Sequence, residues 1–96
     1  MQGLNMKGFE QYLHKVNDPD LFGGITYIFR FDNGYGASVS TNIKTRFRLL
    51  WTTHLIKFVG ESDNYTLVTR HPFKEVMEMH LTDKDVRKIL GEIKGL

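Results

Sequence analysis

Residues 25–42, ITYIFRFDNGYGASVSTN, carry the clearest hairpin pattern in the chain. The later segments are interpreted as elements that pack onto this hairpin. Over the first half of this stretch, aromatic and β-branched residues at every second position alternate with mostly polar ones. Because successive side chains point to opposite faces of a strand, this alternation predicts a strand with one apolar face. Asn33-Gly34 is the strongest short turn signal, and residues 35–41 alternate again as the return strand.

Two turn lengths are compatible with this hairpin. A two-residue loop would place Phe29 opposite Ser38 and so put serines on the aromatic face, whereas a three-residue loop over 32–34 pairs Phe29 with Ala37. Because a slip of one residue exchanges the two faces, burial favours the three-residue loop. Such a loop is a type I turn closed by a glycine at positive φ, and we expect Gly34 to be that glycine.

An amphipathic helix is predicted near the N-terminus, over residues 5–16. This segment places apolar residues on one helical stripe, namely Met6, Phe9, Leu13 and Val16. Residues 17–24 contain Asp, Pro and Gly, which end a helix and form a joint before the hairpin. The stripe needs a partner surface, and a second copy of the chain is one candidate, as a homodimer through this helix.

The middle of the chain predicts a second hairpin. Residues 49–58, LLWTTHLIKF, read as a third strand, and residues 65–70 read as a fourth after a polar turn. His71-Pro72 ends the fourth strand because proline lacks the donor that a ladder needs. Residues 73–80 are ambiguous, although their apolar positions would share one helical face.

A capped helix is predicted at the C-terminus. Thr82 is a candidate N-cap, with Leu81 and Val86 at the spacing of a hydrophobic staple. The apolar residues that follow have the i, i+3, i+4, i+7 spacing of an amphipathic helix, namely Val86, Ile89, Leu90 and Ile93. We expect this stripe to pack on the face formed by Tyr27, Phe29 and Phe31.

These elements predict a single α+β domain over residues 1–96. Residues 1–24 supply the N-terminal helix and joint, 25–70 an antiparallel sheet of about four strands in two hairpins, and 71–96 a connector and the C-terminal helix that crosses one face. Ninety-six residues are enough for one modest core. The chain has no cysteine, which excludes disulfides and thiolate metal sites, and no apolar run approaches the roughly 18 residues of a membrane span.

The charge pattern is mild, with one local exception. The net charge of +2 excludes a strongly acidic DNA mimic and does not by itself indicate nucleic-acid binding. Residues 42–48, NIKTRFR, are locally basic, and Lys44, Arg46 and Arg48 would lie on one side of an extended segment. This segment is interpreted either as a charge-protected edge or loop, or as a contact surface.

No cluster of residues carries a catalytic or metal-binding signature. The four histidines do not occur at HxH, HxxxH or HExxH spacing, so neither a metal nor another cofactor is expected. Thr53 and His54 could join a distant aspartate in a nucleophile system, but such a system is defined by geometry. We therefore do not expect an enzyme.

Residues 27–39, YIFRFDNGYGASV, resemble the F-[DE]-N-G-Y-G-A-S-V signature of a family of small, functionally uncharacterised proteins encoded by tailed bacteriophages. The resemblance continues at Leu50-Trp51, where the family tends to have L-W-E-L. It resumes at residues 81–86, LTDKDV, where the family has L-T-x-x-E-V before a closing helix. It covers about residues 25–96 and implies a phage protein without an established activity.

The chain also departs from that family pattern at two places. Residues 52–54, TTH, replace the acidic residue that usually follows the tryptophan. Residues 71–75, HPFKE, stand where the family looks like T-P-I-T-D-D. A role of those carboxylates in relatives, such as cation binding, would be partly lost in this chain.

These observations lead to an expected function and its alternatives. We expect a non-enzymatic phage accessory protein that binds a host or phage protein in the bacterial cytoplasm, for example to inhibit a host enzyme or a defence system. The expected contact residues are Asn33 and Tyr35 at the turn tip together with Lys44, Arg46, Phe47 and Arg48. The alternative is a nucleic-acid-binding module, in which exposed aromatic side chains stack on bases beside these cations. A small enzyme is the third option.

Overall fold

The computed structural model describes residues 3–17, 24–41 and 50–96, which fold as one antiparallel sheet with a C-terminal helix. The strands within these ranges are β1 (Leu13–Asn17), β2 (Ile25–Arg30), β3 (Tyr35–Thr41), β4 (Trp51–Phe58), β5 (Tyr65–Leu67) and β6 (Met77–Leu81), and helix α1 is Asp83–Lys94. The order in the sheet is β1-β2-β3-β4-β5, and β6 pairs with β4 on the edge that β4 shares with β5. The α+β class is therefore confirmed.

The predicted register of the first hairpin is confirmed. Phe29 pairs with Ala37 across β2 and β3, so the aromatic face meets alanine and not serine. The loop is closed by the N–H of Phe31, which donates to the Tyr35 carbonyl at 2.9 Å, and by the N–H of Gly34, which donates to the Phe31 carbonyl at 3.2 Å. Gly34 has a φ of 87°, a conformation that favours glycine.

The predicted N-terminal helix over 5–16 is wrong. Residues Glu10–Tyr12 form only a 3₁₀ turn, and β1 follows directly and pairs with β2. Gly8 has a φ of 91°, which is not helical, and a short isolated helix gains little from its own hydrogen bonds, whereas β1 adds a ladder to an existing sheet. The apolar positions still reach the core from this irregular path, namely Met6, Phe9, Tyr12 and Leu13. The predicted self-association through an N-terminal helix loses its structural basis.

The expected count of about four strands is also wrong, since six are found within the described residues. β5 is shorter than the predicted strand over 65–70 and pairs only with Ile56, Lys57 and Phe58 of β4. The remainder of the β4 edge would leave backbone donors and acceptors unpaired, and β6 pairs with it from Trp51 to His54. The ambiguous segment 73–80 therefore ends in a strand because β4 offers an open edge.

The main core lies between the sheet and α1, as the sequence predicts. The buried stripe of the helix packs with the apolar face of the hairpin in one cluster, which includes Tyr27, Phe29, Phe31, Val86, Ile89, Leu90 and Ile93. The Thr82 side chain accepts from the Asp85 N–H at 3.2 Å, and the Asp85 carboxylate accepts from the Thr82 N–H at 3.2 Å. The Trp51 indole N–H donates to Asp83 at 2.8 Å, which attaches the start of the helix to β4.

A smaller second core lies on the opposite face of the sheet and consists of Ile28, Ile56 and Phe58. The guanidinium of Arg30 stacks 4.4 Å from the centre of the Phe58 ring. It also donates to the carbonyls of Gly60 at 3.0 Å and Ser62 at 2.8 Å, so it holds the β4–β5 turn against this face.

Candidate functional site

The edge of the sheet beside β4 is interrupted by residues 69–75, called here the edge loop. Both of its ends are bonded to one residue of β4. The Val68 N–H donates to the Leu55 carbonyl at 3.0 Å, and the Leu55 N–H donates to the Val76 carbonyl at 2.8 Å. β5 and β6 are therefore successive parts of one edge, and the edge loop is an insertion between them that is anchored at its base.

The sequence of the edge loop, TRHPFKE, explains why it leaves the ladder. Pro72 has no N–H to donate to a neighbouring strand. Around it the chain makes a tight turn, in which the Phe73 N–H donates to His71 Nδ1 at 3.2 Å. The His71 ring packs edge-on against Tyr35 with 5.7 Å between ring centres, and against Phe73 with 6.2 Å. The loop is thus held on one side by an aromatic residue of β3.

Lys74 holds the other side of the edge loop. Its ammonium lies 2.9 Å from a carboxylate oxygen of Glu78 on β6 and 3.0 Å from one of Glu92 on α1, and its side chain is only 8% exposed. Burial lowers the pKa of Lys74, but the hydrogen bonds to the two carboxylates outweigh that effect and raise the pKa above its usual value. The charged form therefore joins the loop to both β6 and the helix.

Phe73 lies between these two attachments and is 87% exposed, more than any other large apolar side chain in the described part of the chain. Beside it, a shallow cavity of about 520 Å³ runs between the loop and α1, lined by Phe73, Lys74, Glu75, Glu78, Glu92 and Leu96. Aromatic side chains, including phenylalanine, are enriched at the cores of protein–protein interfaces, so this ring is the candidate contact residue of the site.

The charges around this site balance. The charged side chains that belong to the loop, contact it or contact Tyr35 are three cations and three carboxylates within the described residues, namely Lys57, Arg70, Lys74, Glu75, Glu78 and Glu92. Lys57 Nζ lies 5.2 Å from the centre of the Tyr35 ring. Phosphate backbones require an excess of cations, so the balanced charge fits a protein surface better than a nucleic acid.

The two predicted site residues at the turn tip, Asn33 and Tyr35, make contacts within the protein. The Asn33 side-chain amide donates to main-chain oxygens at the end of α1, so this residue caps the helix. Its carbonyl oxygen accepts from the Tyr35 N–H at 2.9 Å. Tyr35 itself is half-buried and belongs to the aromatic contact with His71.

The four other predicted site residues, Lys44, Arg46, Phe47 and Arg48, lie outside the described residues. The described chain ends at Thr41 and resumes at Leu50, and the Thr41 hydroxyl donates to the Leu50 carbonyl at 3.0 Å. Thr41 is at the opposite end of β3 from Tyr35, roughly 20 Å along an extended strand. The turn tip at residues 33–35 therefore lies at the opposite end of the sheet from Thr41 and Leu50, the described residues on either side of the basic segment.

Sequence reasoning missed the edge loop. His71-Pro72 correctly indicates the end of a strand, but the sequence pattern places Phe73 on the apolar face of an ambiguous segment. Its spacing to Val76 and Met77 is compatible with a buried helical face. Only the pairing of β6 with β4 turns Phe73 outward, and no local signal in the sequence indicates that pairing.

Thr53 and His54 do not come together as a nucleophile and its base. Thr53 and His54 are neighbours on β4, so their side chains point to opposite faces, and Thr53 is 2% exposed in the main core. His54 Nε2 lies 3.3 Å from the Val68 carbonyl. Over residues 3–17, 24–41 and 50–96, no three His, Cys, Asp or Glu side chains come together as a metal site. None of the helices in these ranges is long and apolar enough to cross a membrane.

No protein-family model, curated protein or solved structure matches the chain. Membership of the phage family therefore stays a prediction from the residues that carry the resemblance. The site is accordingly interpreted from its own geometry.

Proposed function

We propose that this chain is a non-enzymatic accessory protein of a bacteriophage, which binds a host or phage protein in the bacterial cytoplasm and modulates it, for example by inhibiting a host enzyme or a defence system. The phage origin rests on the resemblance of residues 25–96. The binding role rests on one observation, the 87% exposed ring of Phe73 at the tip of an anchored loop. The partner offers an apolar pocket for one phenyl ring, with charges of both signs around its rim.

The attachments of the edge loop support this proposal because they lower the entropic cost of binding. The loop is bonded to β4 at both ends, to Tyr35 through His71, and to β6 and α1 through Lys74. A loop whose backbone is already held in place loses less freedom when the partner binds. Phe73 is therefore suited to act as an anchor for binding.

The edges of the sheet favour docking through side chains over the addition of a partner strand. β6 carries a shift in register opposite Trp51 and Thr53, and His80 there has a φ of 58°. β1 at the other edge has a shift between Leu13 and Lys15. Bulges and charges at edges disfavour pairing with a further strand.

A lysate pull-down with matched variants tests the proposal. The immobilised full chain is expected to retain a bacterial protein saturably, and free chain should compete for it. Phe73→Ala should weaken retention at least about tenfold, as the loss of an interface anchor does. Val59→Ala removes an apolar side chain that is 56% exposed outside the edge loop, and should retain the partner fully.

Two results would count against this function. Either no protein is retained saturably, or Phe73→Ala retains it as well as the unchanged chain does. Fluorescence anisotropy with labelled oligonucleotides at two salt concentrations tests the nucleic-acid alternative. Salt-sensitive binding that disappears when Lys44, Arg46 and Arg48 are replaced would transfer the function to that basic segment.

A further inference from the structure

The turn that presents Phe73 contains a hydrogen bond whose acceptor is a ring nitrogen of His71. His71 Nδ1 accepts the Phe73 N–H at 3.2 Å, which requires that Nδ1 carry a lone pair and no proton. The same ring lies edge-on between Tyr35 and Phe73. The neutral imidazole therefore combines two functions, as a hydrogen-bond acceptor within the turn and as the aromatic link to β3.

Protonation would reverse the hydrogen-bonding role of this nitrogen. In the imidazolium both ring nitrogens are donors, so Nδ1–H would face the Phe73 N–H directly. Two donors in that position repel each other, so this hydrogen bond is lost when the ring is protonated. Histidine side chains titrate near pH 6.5 in model peptides, within the physiological range.

The charged surroundings of His71 come from four elements. Lys57 on β4 lies over the Tyr35 ring, and Arg70 and Lys74 within the loop add positive charge. Negative charge comes from Glu75 in the loop and from Glu78 on β6 and Glu92 on α1, of which the last two are paired with Lys74. The contact of His71 that differs between the two protonation states is the hydrogen bond at Nδ1.

We propose that protonation of His71 releases the turn that holds Phe73 and so turns off docking through the edge loop at acidic pH. This inference rests on the proposed function for its consequence, although the release itself belongs to the free protein. Because docking requires the neutral imidazole, affinity for the partner falls when His71 is protonated.

The release is tested on the free full-length chain by NMR between pH 7.5 and pH 5.5. The Phe73 amide resonance is expected to shift with the midpoint of the His71 ring resonances, and the order parameters of 72–74 to fall. An unchanged Phe73 amide and unchanged order parameters through the titration of His71 would overturn the proposal. This readout requires no partner, so it remains decisive if the pull-down fails.

His71→Asn is the informative variant because the asparagine Oδ1 can accept the N–H two residues later but does not titrate. Its loop resonances should be independent of pH over this range. His71→Ala should show an open turn at both pH values. The matched control is His80→Asn, since asparagine tolerates the positive φ of this exposed position, and it should keep the pH response of the unchanged chain.

Binding adds a second readout once the pull-down has yielded a partner. The unchanged chain and His80→Asn should bind the partner more weakly at pH 5.5 than at pH 7.5, whereas His71→Asn should bind it equally at both pH values. Equal loss in His71→Asn would assign the pH dependence to the partner and overturn the proposed control by His71. The docking role of Phe73 would remain intact in that case.

Discussion

The side-chain amide of Asn33, at the tip of the β2–β3 hairpin, donates to the main-chain oxygen of Ile93 in the last turn of α1 at 2.8 Å. It also reaches the main-chain oxygens of Lys94 at 3.1 Å and Leu96 at 3.2 Å. The last carbonyls of a helix have no partner within the helix, and the hairpin tip adds a donor to the Leu96 N–H that bonds the Ile93 carbonyl at 3.1 Å.

Asn33→Ala should lower the free energy of unfolding by about 1 kcal/mol, because it removes this donor to the helix-end carbonyls and the acceptor of the Tyr35 N–H. Chemical denaturation monitored by circular dichroism measures the change. Asp32→Ala in the same turn is the control, since Asp32 is exposed and should change the stability by less than about 0.5 kcal/mol. Equal stability of Asn33→Ala and the unchanged chain would show that this contact is dispensable.

Leu90→Asp should unfold the protein. Leu90 is fully buried in the main core, and the helical stripe to which it belongs contributes several kcal/mol at roughly 25 cal/mol per Å² of buried apolar area. An unpaired carboxylate at this position costs a large part of a small domain's net stability. Loss of the cooperative thermal transition is the expected result. Lys88→Asp introduces the same residue on the exposed face of α1 and should still melt cooperatively.

Thr53→Val should raise the stability. Thr53 Oγ1 is buried in the main core and has no hydrogen-bond partner among the described residues, which is a cost that a methyl group of similar size avoids. A gain of about 1 kcal/mol is expected in the free energy of unfolding. Thr52→Val, at the neighbouring half-buried position on the opposite face, should change it little. A loss of stability in Thr53→Val would show that the hydroxyl is satisfied.

Lys74→Met should destabilise the protein by about 1–2 kcal/mol at neutral pH, less than for a fully buried ion pair because Glu78 and Glu92 are partly exposed. The raised pKa of Lys74 in the folded chain also fixes the sign of a pH effect. Its contribution is complete below the unfolded value of 10.5 and is lost as the pH rises through the folded pKa.

The difference in stability between the unchanged chain and Lys74→Met should therefore shrink at strongly alkaline pH. Denaturation of both proteins from pH 8 upward measures it, and taking the difference removes the titration of the other lysines. Lys88→Met is the control, since it replaces an exposed lysine of α1. A difference that stays constant as Lys74 titrates would show that the contribution of Lys74 to stability does not depend on its charge.

Local patterns were sufficient for the hairpin and for the C-terminal helix. In the hairpin, the period of two and the glycine of the turn exclude the register that would bury serines opposite Phe29. In the helix, the Thr82 cap and the stripe through Leu90 lie within a few residues of each other. Both elements depend on interactions that are close in sequence, and this is why they could be predicted.

Where a sequence pattern is compatible with either a helix or a strand, pairing with a strand distant in sequence decided which one forms. The stripe of Phe9 and Leu13 fits a helix, yet the chain reaches the same core through a 3₁₀ turn and β1 because β2 offers an edge. β6 forms in the same way on the free part of β4.

The candidate site also depends on contacts between segments that are distant in sequence. Phe73 is exposed because residues 69–75 do not pair with β4 and are inserted opposite Leu55. Lys74 forms an ion pair with Glu92, which lies on α1. The sequence by itself determined the register of the hairpin, the capped helix and the mild charge, since these follow from side chains near one another in the chain. Only the tertiary structure decided the two edge strands and the exposure of Phe73, because backbone groups at a sheet edge take their partners from anywhere in the chain.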